Sequence, residues 1–228
     1  MAIPTSRMKV IVIQFVAMLT MLIDHIGAVW YPEDPVWRII GRLAMPFYIY
    51  AMVIGYFRTR DVHRYLMRVG ILAAISQIPY QLAFDVLEIN VIATLFICLL
   101  TLRLLDWLKD KPIACVAVIA AAIALLEAFP FDYGAYALLL TLIYRYASPR
   151  YFAALHLLLN IASVFYKGWV LQLFSLMATI WIVYLPDLMK SMDKIKVPRI
   201  VWRSFYPLHL IGIAVVHYYS RLEEMLGA

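Results

Sequence analysis

The chain has 228 residues, of which 65% are hydrophobic and only 15% charged, with a mean hydropathy of +0.85. Soluble globular domains are roughly half apolar and a quarter charged, so this composition excludes an ordinary soluble enzyme or binding module and reads as an integral membrane protein. The formal net charge of +6 calls for no nucleic-acid partner, because basic residues flanking apolar spans serve as cytoplasmic anchors at the lipid bilayer.

In chain order, apolar runs recur at about 20-residue spacing, the length that carries a helix across a bilayer. Breaks at charge clusters, Pro and Gly predict nine spans: 10–30, 37–57, 65–84, 90–108, 112–129, 132–147, 150–165, 169–187 and 202–220. The expected fold is all-α, a polytopic transmembrane helical bundle forming a single domain over residues 1–228. The first run follows Arg7 and Lys9 as a signal peptide would. Its length, the lack of a small-residue exit, and the Asp24-His25 pair within it predict a retained span instead. Cys98 and Cys115 both lie in apolar runs and read as small buried hydrophobes, not as a disulfide or a metal pair. No metal site is expected.

Charge counting predicts the orientation. With the N-terminus cytoplasmic, only Arg38, Arg42, Lys167 and Arg221 of the 20 Lys and Arg fall outside, as the positive-inside rule requires. The densest charge run, Lys190 to Arg199, then reads as a cytoplasmic connector.

At 1.5 Å per residue the polar residues of the spans fall towards the outer side. Asp24 and His25 lie in the outer half of the first span, and Arg38 and Arg42 enter the second from outside. Ser76, Gln77, Asn90, Asp132, Asn160 and Gln172 lie in outer halves or at outer ends. Such residues face a bundle interior or a watered cavity, where they find partners. An unpaired carboxylate costs about 2.5 to 3.5 kcal/mol at a helix centre even on lenient scales, so Asp24 needs a cation. Its neighbour His25 points about 100° away. Arg38 and Arg42, at i and i+4, are both within reach, and an Asp24–Arg42 pair would leave His25 available as a general base. His156 and Asn160, also at i and i+4, read as helix–helix contacts, His217 as an interfacial anchor and His63 as a loop residue.

The stretch "AMLTMLIDHIGAVWYP" (Ala17 to Pro32), the "WRIIGRLAMPFYIYAMVIGYF" that opens the second span (Trp37 to Phe57), "NVIATL" (Asn90 to Leu95), "FDYGAYALLL" (Phe131 to Leu140) and "FYPLHL" (Phe205 to Leu210) together resemble the TraX family of bacterial membrane proteins. Its members are known as acetylases of the N-terminal amine of conjugative pilin. They are similar in turn to transmembrane acyltransferases, including acyltransferase family 3 and the lysosomal heparan glucosaminide acetyltransferase. The resemblance implies acetyl-CoA as donor, His25 as the catalytic histidine, and motif positions at Asp24, Arg42, Asn90, Asp132, Tyr133 and His209. It implies a multi-pass protein of the bacterial inner membrane acting on an envelope acceptor, either a pilin N-terminus or a glycan. One departure stands out. Acyltransferase family 3 carries an Arg upstream of its histidine where this chain has Gln14-Phe15, so Arg38 or Arg42 would have to meet the CoA phosphates.

Acetyl transfer needs a deprotonated nucleophile, donors for the developing oxyanion and exclusion of water. His25 is the candidate base, or else the carrier of a covalent acetyl group. Asp24 and Arg42 set its field, and Asn90, Tyr206 and His209 are candidate oxyanion donors. The rival reading is a proton-coupled transporter built on Asp24, His25 and Arg42. Against it, the sequence shows neither an internal repeat nor paired broken spans in corresponding halves. A non-catalytic scaffold would leave the costly cluster unexplained.

Overall fold

The computed structural model describes residues 7–184 and 199–227. The connector residues Lys190, Lys194 and Lys196, and the end of the eighth predicted span, lie outside the described residues. Among the described residues the chain is helical, with one isolated bridge between Ile89 and Phe131 and no strand. The helices are α1 (Arg7–Trp30), α2 (Pro35–Gly41), α3 (Ala44–Arg58), α4 (Val62–Phe84), α5 (Val91–Trp107), α6 (Pro112–Ala128), α7 (Gly134–Tyr146), α8 (Phe152–Lys167), α9 (Leu176–Tyr184) and α10 (Arg199–Gly227). Short 3₁₀ helices at Pro149–Tyr151 and Val170–Ser175 lead into α8 and α9.

Each predicted apolar segment contains helix, but two of them are not the continuous helices expected. The segment 37–57 breaks after Gly41 into α2 and α3, and the segment 169–187 begins as a 3₁₀ helix before α9. Gly41 is a weak helix former, and the chain turns at Arg42 and Leu43 before Pro46, whose missing N–H is tolerated in the first turn of α3. The second irregularity follows Gly168, which ends α8 at φ +69 and feeds the chain back tightly through Trp169. Ser175 Oγ then donates to the Gln172 carbonyl at 2.6 Å and closes the 3₁₀ turn.

Side-chain caps set other boundaries. Asp34 accepts from the Val36 amide ahead of Pro35, Asp61 from the Arg64 amide, and Asn90 from the Ile92 and Ala93 amides. Asp85 ends α4 in the left-handed region.

Burial is inverted relative to a soluble helix. α4 exposes Ile71, Ile75, Ile78 and Leu82 on one stripe while it buries Ala73, Ser76 and Tyr80. α6 exposes Ile113 and Val116, and Leu126 is its one residue classed as buried. An apolar outside with polar groups turned inward is the arrangement that hydrocarbon favours. Among the described residues two segments, Val12–Trp30 and Pro35–Arg58, are long and apolar enough to cross a membrane. α7, at 13 residues, reaches only about 20 Å.

The chain divides into two compact units. The first comprises Met1–Arg58 and Leu139–Trp202; in it α1 packs on α2 and α3, α3 on α9, α8 on α9, and the 3₁₀ helix Val170–Ser175 on α2, α3 and α8. The second comprises Thr59–Leu138 and Arg203–Ala228, where α5 lies against both α4 and α6.

Glycine sets the α1–α2 contact. A Cβ on Gly41 would collide with the Asp24 carboxylate, and one on Gly27 with the Trp37 side chain. Gly212 in α10 has nothing within 4 Å of its notional Cβ. Gly41→Ala is therefore expected to destabilise by about 1 to 3 kcal/mol, the usual cost of overpacking. Gly212→Ala should be neutral or stabilising by up to about 1 kcal/mol. Thermal unfolding of the two variants in detergent checks the contrast; equal midpoints would refute the close approach.

Candidate functional site

Asp24 and His25 lie on α1, and the connection from Tyr31 to Asp34 returns the chain along it as α2. Tyr31 stacks on Trp37 with ring centroids 4.8 Å apart, which fixes the start of α2 against the end of α1. One turn into α2, Arg38 Nη1 meets Asp24 Oδ2 at 2.9 Å and lies 3.4 Å from the Asp24 backbone carbonyl. The Asp24 side chain is 13% exposed and that of Arg38 29%. Arg38 thus makes a direct contact of the kind the sequence reading assigned to Arg42.

Arg42 sits at the helix break, where its backbone N–H bonds to the Arg38 carbonyl at 3.0 Å and ends α2. Its charge also acts on Asp24, so two guanidinium groups compensate one carboxylate. The G-R-x-x-x-P pattern from Gly41 to Pro46 has a local account: the glycine admits the carboxylate, the arginine caps the break, and the proline starts the next helix. His25 is buried at 8% exposure beside this cluster. The structure therefore gathers Asp24, His25, Arg38 and Arg42 within the first unit.

The candidate site residues Asn90, Asp132, Tyr133, Tyr206 and His209 belong to the second unit. Asn90, at 0% exposure, caps α5 through its side-chain oxygen and donates from Nδ2 to the Ala73 carbonyl at 2.9 Å and to Gln77 Oε1 at 2.7 Å. Both amide hydrogens are committed, so Asn90 ties α4 to α5 in this arrangement and leaves no N–H for an oxyanion. Asp132 is anchored by its backbone: its N–H bonds to the Ile89 carbonyl at 3.0 Å, and its carbonyl accepts from Thr94 Oγ1 at 2.7 Å. Tyr133 follows at φ +64 and Gly134 at φ +51. A left-handed tyrosine is strained, and the bonds at Asp132 help hold it there.

Tyr206 and His209 share a face of α10, with ring centroids 5.5 Å apart, and His209 also stacks on Phe205. His209 Nδ1 lies 2.7 Å from the Phe205 carbonyl. A carbonyl only accepts, so Nδ1 carries the hydrogen, and in the neutral ring Nε2 has the lone pair. Asp132, Tyr206 and Glu88 all act electrostatically on Tyr80, whose hydroxyl donates to Glu88 Oε2 at 3.3 Å. Tyr80 was not singled out from the sequence, where it reads as one more interfacial aromatic.

A further buried network in the first unit was only half legible. His156 Nδ1 lies 2.5 Å from Thr179 Oγ1, which also meets the Tyr144 hydroxyl at 2.5 Å; His156 Nε2 lies 3.1 Å from Ser175 Oγ, itself bonded to Asn160. The i, i+4 spacing of His156 and Asn160 marked one side of it. The facing residues, Gln172, Ser175 and Thr179, share a stripe at i, i+3 and i+7 that the sequence does show. Both ring nitrogens face hydroxyls across a helix pair, which gives His156 the interhelical role its spacing suggested.

Removing Arg38 takes the direct ion-pair contact from Asp24 and leaves it the charge of Arg42. Arg38→Ala is expected to cost about 2 to 3 kcal/mol, less than the roughly 3 to 5 of a fully buried pair because Arg38 retains contact with solvent. Arg38→Ala combined with Asp24→Asn should recover most of that loss. A double-mutant cycle on detergent stability measures the coupling, and additive effects would remove the pair from the account.

The sequence pattern of the family described as "TraX protein" matches residues 10–217. A protein of Dichelobacter nodosus named "Probable fimbrial assembly protein FimC, serogroup H1" is 27% identical over 155 residues, covering 60% of this chain and 62% of the relative. The chain thus spans somewhat under two thirds of that relative's length. No solved structure matches. The family match takes in both units, from α1 with its Asp24–His25 pair through the Tyr206 and His209 face of α10, and on that ground the chain belongs to the TraX family.

Proposed function

We propose that this chain is an integral membrane acetyltransferase that moves an acetyl group from acetyl-CoA to an amine or hydroxyl of an envelope acceptor, the N-terminal amine of a pilin subunit in the family it belongs to. The observation that carries the reading is the Asp24–Arg38 pair set against Gly41 at a helix break, with His25 buried next to it. Broken helices at membrane depth are tolerated where they line a functional cavity. The fimbrial-assembly name of the relative agrees with an acceptor of the pilin class.

In this reading the amine nitrogen attacks the thioester carbonyl, the C–S bond breaks, CoA leaves as the thiolate, and the nitrogen loses a proton to His25. Asp24, neutralised by Arg38, orients the local field rather than competing for that proton. Arg42 and Arg38 supply positive charge for the CoA phosphates or the oxyanion. Asp132, Tyr133, Tyr206 and His209 are the motif positions and candidate donors of the second unit, and Asn90 serves within that unit by holding α4 to α5. The alternative in which His25 itself takes the acetyl group before passing it on uses the same residues. The wider kinship to acyltransferase family 3 and to the heparan glucosaminide acetyltransferase belongs to this proposal, as do the inner-membrane location and nine spans with the N-terminus cytoplasmic.

Two measurements check it. His25→Ala should lower CoA release from acetyl-CoA by about 10² to 10⁴ with an unchanged, monodisperse elution profile, while His156→Ala retains substantial turnover. Wild-type turnover in His25→Ala returns the cluster to structure or transport. Single cysteines at Arg60 and Leu87, the latter among the most exposed residues, should label from opposite faces of the membrane, Arg60 from the cytoplasm. Labelling from one face would overturn the orientation.

A further inference from the structure

Gln172 is buried at 1% exposure, and neither its side-chain oxygen nor its side-chain nitrogen has a hydrogen-bond partner among the described residues. A primary carboxamide sealed from water in this way is costly, because an acceptor and two donors go unanswered. Its neighbours do not need it. Ser175 bonds to the Gln172 backbone carbonyl, not the side chain, and Asn160 Nδ2 reaches Ser175 Oγ at 3.2 Å, so the His156 network closes without the carboxamide.

The location supplies the reason to look for a ligand. The 3₁₀ helix that carries Gln172 packs on α2, and α2 packs on α1. The short helix between them holds Arg38, Gly41 and the Arg42 cap. On the α1 side of it, Asp24 Oδ1 is likewise enclosed and lacks a hydrogen-bond partner among the described residues. Gln172 and Asp24 Oδ1 thus stand unanswered on two elements that both pack on the broken helix, in a unit where the buried His156, Asn160, Ser175 and Thr179 are bonded and Trp181 Nε1 is a further unanswered donor. Unpaired buried groups of this kind mark places where stability has been given up for binding.

We propose that the Gln172 carboxamide binds a substrate through a secondary amide, accepting from its N–H and donating to its carbonyl. A carboxamide places one donor and one acceptor side by side, and a secondary amide is the group that answers both; an ammonium or a carboxylate would satisfy only one of the two atoms. The assignment rests on the acetyl-transfer reading. Under that reading two substrates carry secondary amides: the pantetheine arm of acetyl-CoA and the backbone of a peptide acceptor.

The test uses Gln172→Met, which keeps the length of the side chain and removes its polarity. With no ligand present, its melting midpoint in detergent should rise by about 2 to 4 °C. Gln77→Met, which strips bonded partners from Asn90 and Glu88, should fall in the same assay. In turnover, Gln172→Met should raise KM about tenfold, the worth of two neutral hydrogen bonds, for one substrate, with kcat changed less. A rise for acetyl-CoA places the amide on the pantetheine arm; a rise for a synthetic pilin N-terminal peptide places it on the acceptor. Unchanged KM for both substrates overturns the proposal, as does a lower midpoint, which would show the carboxamide satisfied within the protein or by an enclosed water. If wild-type protein transfers no acetyl group, the acetyl-transfer reading falls, and ligand-induced melting shifts decide the binding claim alone. A shift produced by acetyl-CoA or the peptide in wild type and lost in Gln172→Met sustains it; no shift in wild type, or one retained in the variant, overturns it.

Discussion

The structure of the first unit turns on one carboxylate. Asp24 stands in an apolar helix, where its charge is tolerated only with a cation in contact, and Arg38 supplies that contact at 2.9 Å. To bring the two together α2 must lie almost against α1, and Gly41 and Gly27 are the positions at which a side chain would forbid it. That approach coincides with the end of α2, so the second apolar segment arrives as two helices with the arginine pair at the joint. The backbone groups released there are answered locally, by the Arg42 cap at one end and by Asp34 at the other.

The proposed acetyl transfer rests on this paired carboxylate and the buried histidine that follows it in sequence. Two guanidinium groups act on the Asp24 carboxylate, next in sequence to the buried His25. The second unit, taken by itself, holds fixed groups of a different kind. Tyr133 is kept in a left-handed conformation by a turn bonded to the start of α5, and His209 is locked by Phe205 into the tautomer whose Nε2 accepts. Strain and fixed tautomers are what positioned groups show when geometry matters more than local stability.

Much of this could be read before any coordinates. Apolar runs located the helical segments, and the cost of burying Asp24 demanded an arginine from the next segment. What the sequence hid follows from physical causes. Counting depth at a fixed rise assumes an unbroken helix; it put both Arg38 and Arg42 within reach of Asp24, and the break after Gly41 takes away the basis for choosing Arg42 over Arg38. Asn90 looked like a site residue because a buried amide has the same composition whether it caps a helix or binds a ligand. The Ser175 and Thr179 hydroxyls form a stripe visible in the sequence, but nothing there says that this stripe faces His156 rather than another helix. Gln172 was grouped with the outer-end polar residues expected to find partners, since nothing in a sequence distinguishes an enclosed amide that is bonded from one that is not.

The most direct measurement is to follow the label when purified wild-type protein in detergent meets radiolabelled acetyl-CoA and a synthetic pilin N-terminal peptide. The account expects the label to move to the peptide's terminal amine, with one free CoA released for each acetyl group transferred. If the acetyl-CoA stays intact, and neither the peptide nor the protein takes up label, the chain is not the acetyltransferase described.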